Sequence, residues 1–272
     1  ILIFTFLYLK NFTNNGQCIY RRIMAGHSKF KNIMHRKGAQ DKKRAKIFSR
    51  IGREIAVAVK EGGPDQEKNI RLRSAIGNAK SLNMPKDNIL RAIKKGEGNE
   101  PDSYFEEVRY EGYGPDGVAI IVEAMTNNKN RTAAEIRSCF SKFGGSLGET
   151  GSVSFSFKRL GSLTLSKNLA PEEELFDFIA DNGSEDYELS DNEYTIYCEQ
   201  QNLHKLNEKI IDRYGKTNFV GLVWKSDNNI SVEKESAEKL FKLLNTLEEN
   251  EDVQVVSSNF EVSDEILTSL TI

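Results

Sequence analysis

The residues of this chain with the means to do chemistry are cations, and they are bunched. Lys29, Lys31, Arg36, Lys37, Lys42, Lys43, Arg44 and Lys46 follow one another from Ala25 onward, and Asp41 is the one acid among them. From Met24 to Gly96 there are 19 Lys and Arg against 6 Asp and Glu, whereas from Glu97 to Ile272 there are 16 against 34. The net charge of -2 conceals this asymmetry. Ammonium and guanidinium groups in such number transfer nothing by themselves. They neutralise phosphates and release condensed counterions, which gives an affinity that falls steeply with salt. Arginine adds a planar fork that matches phosphate oxygens two at a time. The predicted partner is therefore nucleic acid, DNA or ribosomal RNA or both, with the acidic remainder kept in solvent.

Helices must position these charges. Ile47, Phe48, Ile51, Ile55, Ala58 and Val59 recur at helical spacing and predict a helix over 41–61. Lys46, Arg50, Arg53 and Lys60 fall on the opposite side, where they would face a polyanion. Gly62-Gly63-Pro64 ends it. A second helix is expected over 66–82, with Leu72, Ala75, Ile76, Ala79 and Leu82 inward. A third starts at Pro85, which suits a first helical position. Lys86 and Asp87 lie in its first turn, Lys94 and Lys95 in its last. These helices make a basic bundle over 24–100. Its candidate nucleic-acid contacts are Lys29, Lys31, Arg36, Lys37, Lys42, Lys43, Arg44, Lys46, Arg50, Arg53 and Lys86, with Phe30 as a possible base stacker.

The acidic part reads as α/β. Strands over 105–112 and 118–124 flank a Gly-Pro-Asp-Gly turn. No Lys-Ser/Thr follows that turn, which argues against a phosphate-cradling P-loop. A helix over 130–142 comes next, with Thr132 and Glu135 at capping-box spacing. Asn128 and Arg131 crowd its start, and a helix N-terminus attracts phosphate, so they form a second candidate contact. From Gly161 the predicted order is strand, helix, strand, strand, helix, strand, the ferredoxin-like βαββαβ unit. A helix over 233–248 and a strand over 253–258 then complete the earlier set. The fold class is α+β: an N-terminal three-helix basic domain plus two α/β domains. The ferredoxin-like one, 159–225, is inserted into a discontinuous one, 101–158 and 226–272. Residues 1–23 differ in composition and are expected to be a non-native or disordered extension, with Met24 the natural start. Their apolar run of nine is shorter than the ~20 residues of a membrane span.

No catalytic constellation is visible. His27 and His35 lie in the basic arm, and His204 has no nucleophile motif beside it. Cys18, Cys139 and Cys198 are far apart, which suits a reducing cytosol and no structural metal. The expectation is a cytoplasmic protein that is not an enzyme and uses no cofactor, metal, membrane or small-molecule substrate.

Several stretches are longer and more unusual than composition requires. Met24-Ala-Gly-His-Ser-Lys-Phe-Lys-Asn-Ile, His35-Arg-Lys-Gly-Ala-Gln-Asp-Lys-Lys-Arg and Asn83-Met-Pro-Lys-Asp-Asn-Ile-Leu-Arg-Ala-Ile-Lys-Lys-Gly are three of them. Tyr110-Glu-Gly-Tyr-Gly-Pro-Asp-Gly-Val-Ala, Asn130-Arg-Thr, Phe143-Gly-Gly-Ser-Leu-Gly and Gly151-Ser-Val are others. Together they resemble the YebC/PmpR family over essentially all of 24–272. Phe30 stands where that family usually has Trp, and Asn127 where it usually has Asp. The resemblance implies a three-domain architecture and a regulator of gene expression. It leaves two roles open: a DNA-binding transcriptional regulator, or a ribosome-associated translation factor that relieves stalling, for example at proline runs.

Overall fold

The computed structural model describes residues 10–12, 18–23, 40–98, 105–190, 192–226 and 228–270. Two short strands come first, β1 (Lys10–Phe12) and β2 (Cys18–Ile23). The basic domain follows as α1 (Gln40–Gly62), α2 (Ile70–Ser81) and α3 (Lys86–Glu97). Its core is the expected stripe, Ile55, Ala58 and Val59 against Leu72, Ala75, Ile76 and Ala79, closed by Met84, Ile89 and Ala92. The second helix begins at Ile70, four residues later than periodicity suggested, because Asn69 caps it. The Asn69 side chain accepts from Leu72 N–H at 3.0 Å and donates to the Ala58 carbonyl at 2.6 Å. One side chain thereby ends the loop and ties it to α1. Gly96 lets α3 cross α1 closely: a Cβ there would sit 2.6 Å from the Ala56 carbonyl oxygen.

The discontinuous domain is built on β3 (Glu106–Tyr113) and β4 (Ala119–Thr126), an antiparallel pair. Then come α4 (Lys129–Lys142), β5 (Ser146–Leu147) and β6 (Phe157–Ser166), the strand that leads into the inserted unit. That unit continues with α5 (Glu172–Asp181), β7 (Ser184–Leu189), β8 (Glu193–Cys198), α6 (Leu203–Tyr214) and β9 (Phe219–Ser226). The chain returns through β10 (Ile230–Ser231), α7 (Lys234–Glu249), β11 (Val253–Ser258), β12 (Phe260–Glu261) and α8 (Asp264–Leu270). The four-stranded sheet has the order β11-β4-β3-β5, so a strand from the end of the chain borders one from its middle. Ile120 and Val122 of β4, Ile136 and Phe140 of α4, and Leu240, Leu244 and Leu247 of α7 share one core.

In the inserted unit β9, β6, β8 and β7 lie in that order, the arrangement of a split βαβ sheet. Leu163, Tyr194 and Ile196 pack under Leu175, Ile179, Leu206 and Ile210. The strand β7 is the edge of that set, with a row of backbone groups open to pairing. β2 occupies it in parallel, Tyr20 opposite Asp186 and Ile23 opposite Leu189, and β1 pairs with β2. The stretch expected to lie outside the fold thus supplies two strands, because an open sheet edge templates any extended segment beside it. The fold class is α+β, a three-helix basic domain plus two α/β domains with the ferredoxin-like one inserted.

Candidate nucleic-acid interface

The outward side of α1 is not free. Arg50 donates from Nη2 to the Glu248 carbonyl, and Arg53 from Nη1 to the Glu251 carbonyl. Arg53 also stands 3.4 Å from Asp252 Oδ1 and over the Phe105 ring at 5.4 Å. Asp252 is a hub. Its side chain is 5% exposed. Its Oδ2 accepts from Arg131 at 2.6 Å, Thr132 at 2.7 Å and Thr126 at 3.2 Å. Burial pushes this carboxyl up. The hydrogen bonds from Thr132 and Arg131, with the charges of Arg131 and Arg53, more than offset that, so it lies below its ordinary 3.8. Lys46 is half-buried and held below its usual value by burial and by Arg50, against the pull of Glu249, Glu248 and Glu251. In α2, Arg71 binds Glu54 at 2.9 Å, Glu61 at 2.6 Å and Glu107. The expectation that Arg50 and Arg53 face a polyanion is therefore corrected. They fasten the basic helix to the acidic end of α7 and the loop that follows it.

What remains open lies on the other helices. Lys86 and Lys94 are exposed on α3 two turns apart, and Arg91 flanks them. Lys80 is exposed at the end of α2, just before the connection that leads to Lys86. Lys95 lies 4.6 Å from the centre of the Phe105 ring. The connection between these helices includes Asn83 at φ 56°, a left-handed conformation that Asn tolerates better than most residues. Leu82 and Leu90, both expected to point inward, are instead exposed at 46% each, beside the cations. An open cleft of about 710 Å³ is lined by Arg53, Lys95, Phe105 and Arg131, but equally by Glu135, Glu251 and Asp252. Its balanced signs make it a poor phosphate site compared with the α3 surface.

Lys29, Phe30, Lys31, Arg36 and Lys37 lie outside the described residues. Lys42 and Lys43 fall in the first turn of α1, their side chains also outside the description. Arg44 is exposed and sits over the Phe48 ring at 5.4 Å. Asn128 proves to be the N-cap of α4, its side-chain oxygen accepting from Arg131 N–H at 3.1 Å. That replaces the Thr132–Glu135 capping box: Thr132 is buried inside the first turn and bonded to Asp252. Arg131 reaches Asp252 and Asn127, so the second candidate contact is largely engaged within the domain. Lys80, Arg91 and Lys94 are not among the contacts expected from sequence. For Lys94 a signal was present, since it lies two turns beyond Lys86 on the same side of α3.

No helix among the described residues is long and apolar enough to cross a membrane. Residues 28–99 match a family model described as the TACO1/YebC protein N-terminal domain, and residues 105–260 one described as the TACO1/YebC second and third domain. The crystal structure of a conserved hypothetical protein, Aq1575, from Aquifex aeolicus is similar, with 43% identity and a TM-score of 0.79. The match covers 85% of this chain and 96% of that one.

Proposed function

The chain belongs to the TACO1/YebC family, whose members are generally described as transcriptional-regulator-like, and on that premise we propose that it is a nucleic-acid-binding regulator of gene expression, acting on DNA to control transcription. The observation that carries this reading is the exposed set Lys80, Lys86 and Lys94, with Arg91 beside them, while Arg50 and Arg53 of α1 are tied to a carboxylate and to carbonyls. Phosphates along one strand repeat at a spacing that cations two helical turns apart can follow. The basic arm ahead of α1 adds charge to the same domain.

The test is fluorescence anisotropy of the whole chain with labelled duplex DNA and with a ribosomal RNA fragment across a salt series. Affinity should fall as a power of salt concentration, and K86A/K94A should reduce that power by about one for each phosphate that is no longer neutralised. A flat salt response would remove phosphate binding as the basis. Ribosome association on sucrose gradients without promoter occupancy in the same cells would move the reading from transcription to translation.

A further inference from the structure

Phe155 is 79% exposed, far more than any other large apolar side chain among the described residues. Its turn is not loose. It lies in a single 3-10 turn, Ser154–Ser156, between buried Val153 and buried Phe157. Beneath the turn sits Glu111, 1% exposed, whose Oε2 accepts from Val153 N–H and from Ser154 N–H, both at 2.9 Å. The Glu111 carbonyl accepts from Gly148 N–H at 2.8 Å at the other end of the loop. Tyr113 donates its hydroxyl to the Ser152 carbonyl at 2.8 Å, and Tyr113 is itself an exposed aromatic. A buried carboxylate is costly to keep and is rarely placed beneath a surface loop without a reason of geometry. Here the result is a ring held out in water on a fixed base.

The surroundings say what such a ring would meet. Ser154 and Ser156 flank the ring in the turn and carry hydroxyls, whereas the Ser152 hydroxyl is buried. A protein partner would require roughly 800 Å² per side around an apolar centre of several residues. The neighbours of Phe155 in the turn are polar instead. A lone flat ring with hydroxyls beside it is the equipment for one unpaired base. Rigid presentation lowers the ordering cost of the contact.

We propose that Phe155 is a base-stacking contact for single-stranded nucleic acid, presented by the turn that Glu111 and Tyr113 hold. This rests on the nucleic-acid reading above and adds a site in the acidic discontinuous domain, away from the cations of α3 in sequence. The experiment uses the whole chain with two fluorescein-labelled strands, an oligouridylate and an abasic deoxyribose-phosphate strand of equal length. F155A should bind the oligouridylate about tenfold more weakly, the effect expected for one stacked base. It should bind the abasic strand like the native chain, with an unchanged thermal midpoint. F155W in a W224F background should restore affinity, and its fluorescence should be quenched by the oligouridylate alone. If F155A binds both strands normally while K86A/K94A weakens both, the stacking site is wrong and the phosphate reading stands. If the native chain binds neither strand, both fall. Normal strand binding by F155A coupled with loss of a protein partner would overturn the proposal in favour of a protein contact.

Discussion

Two sets of cations in one small domain meet different fates. On α1, Arg50 and Arg53 are turned toward carbonyls and a buried carboxylate of the discontinuous domain. On α3, Lys86 and Lys94 stand in solvent. By charge alone the two sets look alike. They differ in what covers them. A guanidinium whose donors are already taken by Glu251 and Asp252 offers little to a phosphate, however basic its segment. Charge counting locates a domain that can bind polyanion. It does not say which of its charges are available.

Four outcomes would sharpen or break that contrast. Asp252→Asn should have the largest effect on stability, a loss of about 3 kcal/mol, because it leaves Arg53 facing a neutral group at a buried position. Chemical denaturation with unchanged slope checks it. Arg53→Ala should cost about 2 kcal/mol and leave the salt dependence of nucleic-acid binding as it was. A change in salt slope without loss of stability would mean that Arg53 meets phosphate after all. The third outcome concerns acid. The carboxyl of Asp252 is depressed in the folded chain, so its stabilising contribution is complete above 3.8, its ordinary value, and is lost as pH falls through the lower folded one. The difference in thermal midpoint between the native chain and Asp252→Asn should therefore shrink as acid is added below that point. Lys94→Ala should be the mildest, within about 0.5 kcal/mol of native stability, since the side chain is exposed. Its effect belongs in the binding assay, where it should weaken both duplex DNA and RNA.

Much of the fold was legible because local pattern and packing agree. Leu72, Ala75, Ile76 and Ala79 lie at helical spacing and are all buried. The βαββαβ order could be read because each element is short and bounded by turn residues. The fastening of α1 was not legible, since Glu251 stands 198 residues from Arg53 and periodicity sees only the helix itself. A hint was nonetheless there. Ile55-Ala-Val-Ala-Val59 is apolar without interruption, and Ala56 and Val57 are buried along with the stripe. A helix that is apolar all round has neighbours on more than one side. Thr132 suggests a cap because its spacing to Glu135 fits. The winning feature was Asn128, whose side-chain oxygen reaches Arg131 N–H from the residue just before the helix. Glu111 could not be recognised as a loop anchor, because a carboxylate in a strand is usually solvated.

The order β11-β4-β3-β5 has a consequence for the chain as it is made. The strand that completes the discontinuous sheet, and the segment that receives Arg50 and Arg53, leave the ribosome long after α1 does. Throughout synthesis the helical bundle can close on its own core with those two arginines uncovered. A nascent chain therefore shows its surroundings a more cationic face than the folded domain does, and withdraws it when the α7–β11 segment docks.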